Sequence, residues 1–248
     1  MNKKLFGLLL FLFTLFLSGC NGEGSKKTNE EMEKTEQKSD SYEYDIVTVT
    51  YHEENVAVEY PKIISFHDEE KQETINELIK TAAIKPYQDT IASLDSDQQY
   101  EADGSYEIKL KNEEILSIAY RSYNNVTPSA HPYHLFFTTN IELNTGKQLF
   151  LTDFVSEIDI DFINTLKEAK YVGDIENEYE QDIRNMAFGL YENDEKLILE
   201  LTKSQEGMNG IYVYVTEDAL GISMPVAHVA GDHAEFEISI NDLKGIDR

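Results

Sequence analysis

The chain holds a single cysteine, Cys20, so no disulfide can form within it. Whatever fold it adopts must be held by packing alone. That cysteine also closes a distinctive leader. Lys3 and Lys4 precede thirteen residues, Leu5 to Leu17, in which only Gly7 and Thr14 interrupt a run of Leu and Phe. Leu17, Ser18, Gly19 and Cys20 follow. A positive start, an apolar centre and a small-residue exit are the plan of a secretory signal. As a helix the run would reach about 20 Å, at about 1.5 Å per residue. The hydrocarbon layer is roughly 30 Å thick, so the run is short for a membrane span.

Leu17-Ser18-Gly19-Cys20 resembles a bacterial lipobox, in which the peptidase cuts before the cysteine and the thiol then carries diacylglycerol. The expectation is a signal peptide over 1–19, lipid attachment at Cys20 and residence on the extracytoplasmic face of the cell membrane. Residues 20–40 read as a tether. Asn21 to Asp40 contains one Met, no aromatic residue and mixed charge, too little apolar area to order itself. A flexible coil of about 20 residues spans roughly 25 Å, enough to clear the lipid headgroups.

The remainder is strongly acidic. Of 21 basic and 47 acidic residues, 15 and 41 lie in 41–248, so the net charge of −26 belongs there. Nucleic acid is disfavoured as a partner, because its binding needs a basic patch that displaces counterions. Anionic lipid is disfavoured for the same reason, which makes a covalent anchor more useful. Cations and basic proteins are attracted instead. Fifteen Tyr and twelve Phe supply material for a core.

Alternation over Tyr42 to Tyr51 predicts a strand, and Val56 to Ile64 a second, with Pro61 implying an edge or a bulge. Asp68 to Leu94 reads as helix, with Ile75, Leu78, Ile79, Ala82 and Ala83 on one face and Pro86 expected to break or kink it, a break giving two shorter helices. Tyr106 to Leu110 and Ile115 to Tyr123 read as a hairpin, and Tyr133 to Leu143 and Gln148 to Leu151 as strands joined at Asn144-Thr145-Gly146-Lys147. Thr152 or Asp153 is expected to cap the segment after it. Ile158 to Lys170 and Tyr179 to Leu190 read as helices, and Leu197 to Leu201 with Ile211 to Val215 as a hairpin. Met224 to Val229 and Phe236 to Ile240 close the pattern. Without regular β-α alternation, the fold class is α+β: antiparallel sheets with helices packed on one face. The expected division is an N-terminal subdomain over 41–125 and a C-terminal one over 126–248.

Ser129-Ala130-His131-Pro132, an aromatic strand, Asn144-Thr145-Gly146-Lys147 and Leu149-Phe150-Leu151-Thr152-Asp153-Phe154 form one block. Together with Gly221-Ile222-Ser223-Met224-Pro225 and the Ala230-Gly231 turn before Phe236-Glu237-Ile238, it resembles the PdaC/RsiV-like extracytoplasmic domain, a family of largely unknown function. Its members occur in some peptidoglycan deacetylases, in sigma-factor regulators that sense lysozyme, and in lone lipoproteins. The resemblance covers roughly 42–246 and brings no catalytic residues. It implies a sensing or binding module standing alone, without the enzyme or signalling half of its relatives.

Signals for chemistry are sparse. His131 and His134 could contribute to a zinc site, but on a strand their spacing sends them to opposite faces. Turn histidines bonded to backbone are the plainer reading, and His228, Asp232 and His233 read as a solvated turn. The nucleophile-elbow pattern Gly-x-Ser-x-Gly is absent, as are a phosphate-binding loop and a calcium loop. No cofactor and no metal are expected. The candidate ligand-binding residues are Tyr123, Ser129, His131 and Tyr133. The sequence thus points to a non-catalytic binding or sensing module at the cell envelope, for a basic protein such as a cationic lysozyme or for a cell-wall polymer. The alternatives are an enzyme that acts on wall glycans through paired carboxylates and a structural spacer of the envelope.

Overall fold

The computed structural model describes residues 44–128, 131–173, 177–203 and 210–243. Strands β1 (Asp45–Glu53) and β2 (Val56–Ile64) form an antiparallel pair, and helix α1 (Glu69–Ala92) follows. Asp68 caps α1 by accepting the Lys71 N–H at 3.0 Å. Strands β3 (Gln99–Lys111), β4 (Ile115–Thr127), β5 (Tyr133–Glu142) and β6 (Lys147–Leu149) complete a six-stranded sheet in the order β1-β2-β3-β4-β5-β6. Its one parallel pairing, Val56–Val58 with Ala102–Gly104, joins the strands on either side of α1. Helices α2 (Leu151–Phe154) and α3 (Ile160–Glu168), strand β7 (Lys170–Tyr171), helices α4 (Glu180–Gly189) and α5 (Asp194–Thr202), and strands β8 (Tyr212–Val215), β9 (Ala219–Pro225) and β10 (His233–Ser239) come next. The last four strands make an antiparallel sheet in the order β7-β10-β9-β8. The fold is α+β with antiparallel-rich sheets.

Side-chain alternation sorts the layers. Leu116, Ile118 and Tyr120 of β4 are fully buried with Ile75, Ile79, Ala83 and Tyr87 of α1. The intervening Ala119 packs instead with Phe136 of β5 and Tyr214 of β8. Val213, Ile222, Phe236 and Ile238 of the second sheet pack with Phe162, Leu166, Ile183, Leu197 and Leu201 of the helices α3 to α5. Each sheet therefore carries helices on one face and turns the other toward its neighbour sheet. At that meeting surface a Cβ on Gly221 would fall 2.1 Å from the Tyr214 ring, so glycine is what lets the ring lie against β9.

The inner layer is partly polar. Strand β8 ends the second sheet, and an uncovered strand edge invites mispairing. Its Val213 carbonyl accepts from Thr138 Oγ1 at 2.5 Å and from Asn140 Nδ2 at 2.9 Å. The Val215 N–H donates to Ser117 Oγ at 3.1 Å, and that hydroxyl donates to Asn140 Oδ1 at 2.7 Å. Side chains from the first sheet thus satisfy the edge of the second.

Three expectations need correction. Pro86 does not divide the helix: α1 runs 24 residues through it. A proline inside a helix costs about 3 kcal/mol, whereas each fully buried large apolar side chain contributes about 1.5–3 kcal/mol. Ile75, Ile79, Ile84 and Tyr87, spread over both halves, are all buried, so packing outweighs the missing hydrogen bond. Leu197 to Leu201 lies in α5 and is not a strand. Asn193 caps that helix by accepting the Lys196 N–H at 2.9 Å, and Leu197 and Leu201 point to the core one turn apart. Tyr212 to Val215 consequently pairs with β9, and the hairpin is β8–β9. Asp153 lies within α2, where it accepts the Phe150 N–H at 2.8 Å, and Asp159 caps α3.

Pro61 sits where β2 is open on one side, since β3 pairs only with Val56–Val58. Position 126 falls within β4, which pairs with β5 from Ile115 to Asn124. Among the described residues, no helix is long and apolar enough to cross a membrane.

Candidate functional site

A cleft of about 340 Å³ opens at one end of the layer between the sheets. Register builds it. Asp103 of β3 lies opposite Tyr123 of β4, Ser105 opposite Arg121, and Tyr123 opposite His134 of β5. Cross-strand partners share a face, so these five side chains form one patch. Ser122, Leu135, Gly231 of the β9–β10 connection and His233 at the start of β10 complete the lining.

That connection is tightly turned. A short 3₁₀ turn over His228–Ala230 leads into Gly231 at φ 92° and Asp232 at φ 73°. Two successive left-handed residues reverse the chain; glycine and aspartate tolerate that conformation better than most. The Asp232 carboxylate then fastens the turn to the first sheet. Its Oδ2 accepts the His134 N–H at 2.7 Å, and its two oxygens lie 3.0 and 3.2 Å from His228 Nδ1. His131 stacks beside His228 at 6.0 Å, and His134 meets the Tyr123 ring edge-on at 5.9 Å. The two histidine clusters, far apart in sequence, therefore converge around one aspartate. Among the described residues, no three His, Cys, Asp or Glu side chains are grouped so as to hold a metal ion.

Deeper in the layer is an ion cluster. Arg121 donates to Glu107 Oε2 at 2.9 Å and to Glu235 Oε1 at 2.6 Å. Lys109 lies 2.9 Å from Glu107 and 4.0 Å from Glu235. His233 stacks on Phe136 at 4.8 Å and brings Nε2 within 3.6 Å of Glu235. Burial alone would raise the Glu235 pKa, but hydrogen bonds from His233 and Arg121 and the nearby positive charges together hold it below the usual carboxylate range. Glu107 is lowered in the same way, with Lys109 and Arg121 outweighing its burial. A carboxyl that served as general acid would need the opposite displacement.

A second concavity, about 1030 Å³, lies where the β3–β4 and β5–β6 turns, α2 and the β8–β9 turn meet. Ile115, Leu149, Phe154, Leu220 and Ile240 supply apolar floor and wall, and Glu114, Glu142, Asp153 and Glu217 line the groove beside them. No Lys or Arg lines it among the described residues.

Of the residues picked from sequence, Tyr123 lines the cleft and His131 stands beside it against His228. Tyr133 faces the α1 side, because it is the partner of Asn124, which neighbours Tyr123 along β4. Ser129, and the leader residues Leu17, Ser18, Gly19 and Cys20, lie outside the described residues. Asp103, Arg121 and Glu235 escaped sequence reading, and Asp232 was read there only as part of a solvated turn. Acids are too numerous to single out, and only the register brings these four together.

No family model matches the chain, and no curated protein matches it. Among solved structures it is similar to a DUF3298 family member from Bacteroides fragilis NCTC 9343, at 12% identity and a TM-score of 0.44 over 80% of this chain and 90% of that one. It is also similar to a DUF3298 family protein from Pseudomonas aeruginosa PAO1, at 14% identity and a TM-score of 0.43 over 83% and 94%.

Proposed function

We propose that this protein is a membrane-anchored extracytoplasmic binding module that captures a basic protein without catalysing a reaction on it. The observation that carries the reading is the large groove, with its apolar floor and its four carboxylates unopposed by any lining cation. A basic amphipathic segment fits that chemistry, burying apolar side chains below while its Lys or Arg groups meet the acids. The net charge of −26 would speed encounter with such a partner. The lipobox pattern at Leu17 to Cys20 and the motif resemblance to the PdaC/RsiV-like domains support an envelope setting.

The test is capture of a cationic lysozyme by the full chain at low and at high salt, repeated with Glu114→Lys/Glu142→Lys/Glu217→Lys. Binding should weaken steeply with salt and weaken further in the charge-reversed variant. Capture that ignores both salt and the three substitutions would remove the groove from recognition.

A further inference from the structure

We infer that the cleft around Tyr123, at the Asp232 end of the sheet interface, is a binding site for a neutral saccharide of one or two rings, separate from the acidic groove. Tyr123 is the platform. Its side chain is 43% exposed, although it stands on a strand paired on both sides. A sugar presents a face of C–H groups that packs on an aromatic ring and a rim of hydroxyls that need both donors and acceptors.

The cleft offers those groups uncommitted. Among the described residues, the Asp103 carboxylate, the Ser105 hydroxyl and the Tyr123 hydroxyl make no hydrogen bond or ion pair, and all three residues line the cleft. Arg121, by contrast, is already held by Glu107 and Glu235, so it positions the floor. A volume near 340 Å³ sits at the small end of the range for ligand sites. The platform and its acceptors come from two paired strands, β4 and β3, which hold the contacting side chains more rigidly than loops do.

Electrostatics narrows the class. Asp103, Glu107, Asp232 and Glu235 stand at or beneath the cleft against Arg121 and Lys109. Carboxylates outnumber cations, so a phosphate, a nucleotide or a uronic acid would be repelled, whereas an uncharged polyol would not.

The test is calorimetric titration of the full chain, in a sugar-free detergent, with chitobiose, cellobiose and maltose, and with trilysine as the peptide comparison. At least one disaccharide should bind in the millimolar range. Tyr123→Ala should weaken it about tenfold or more, Asp103→Asn should weaken it, and Tyr123→Phe should retain it. Glu217→Lys, in the distant groove, should leave it unchanged, which separates this site from basic-protein capture. The inference is overturned if no disaccharide binds, if binding survives Tyr123→Ala in a folded variant, or if trilysine alone binds in a Tyr123-dependent manner.

Discussion

Arg121 of β4 and Glu235 of β10 meet at 2.6 Å across the interface between the two sheets, 114 residues apart in sequence. The Glu235 side chain is only 4% exposed. Arg121 also lies 5.0 Å from the Phe136 ring, so its guanidinium is held by packing as well as by charge. Such a pair is weak evidence for stability, because desolvation of both charges offsets much of their attraction. Its use is positional: with Lys109 and Glu107 it gives the first sheet one favourable placement against the second, and so sets the floor of the Tyr123 cleft.

Removing one member should therefore cost more than removing both. Arg121→Met leaves Glu235 buried without its main partner and should destabilise the fold by about 3 kcal/mol, the low end for a broken buried pair because Arg121 is partly exposed. Arg121→Met/Glu235→Leu should recover a large part of that loss, and a double-mutant cycle in urea measures the coupling. Strictly additive effects would mean that the pair does not act as a unit.

The same carboxyls predict a pH dependence. Glu107 and Glu235 both have folded pKa values below their ordinary ones. Near pH 4, close to the unfolded glutamate value of about 4.3, the unfolded chain then binds more protons than the folded one. Stability from these groups is present above that value and lost as pH falls through the folded values. The urea midpoint should drop on acidification below about pH 5, and Glu235→Gln, though less stable at neutral pH, should show a shallower decline. Identical slopes for the two proteins would exclude Glu235 as a source of the effect.

Asn140 tests the covered strand edge. Its Nδ2 donates to the Val213 carbonyl at 2.9 Å while its Oδ1 accepts from Ser117 at 2.7 Å, and the residue is 2% exposed. Asn140→Leu keeps the volume but leaves the Ser117 hydroxyl without its acceptor. It should cost about 1–3 kcal/mol, and hydrogen exchange at β8 amides should quicken relative to those of β9. Uniform exchange across both strands would show that the amide is not what holds the edge.

How much of this could be read in advance depended on whether a signal was local. The strands over 45–53 and 56–64 and the Asn144–Lys147 turn were legible because alternation and a glycine act within a few residues; Gly146 does take φ 70°. The run Leu197 to Leu201 was not, because four apolar residues broken only by Glu200 fit a strand or a helix, and the Asn193 cap decides the matter. Pro86 misled because its local cost is overridden by burial against a distant sheet. The cleft was least legible. Tyr123 and the histidines were visible as residue types, but Asp103 and Glu235 acquire meaning only when three strands fall into register beneath the β9–β10 turn.

On the proposed lipobox reading, Cys20 would set where the protein acts. Each buried methylene of an acyl chain contributes about 0.8 kcal/mol, and one chain gives only marginal attachment, whereas two or more hold stably. Since Cys20 is the sole cysteine, no other thiol can take the lipid. Cys20→Ala should therefore either release the mature chain to the medium or leave the uncut precursor in the membrane, and fractionation with size measurement distinguishes the two. An alanine variant that is cut to mature size and still pellets with the membrane would show that something other than the thioether lipid holds it. Basic-protein capture by the released form should be unchanged in affinity, because the groove at Glu114, Glu142, Asp153 and Glu217 belongs to the folded body.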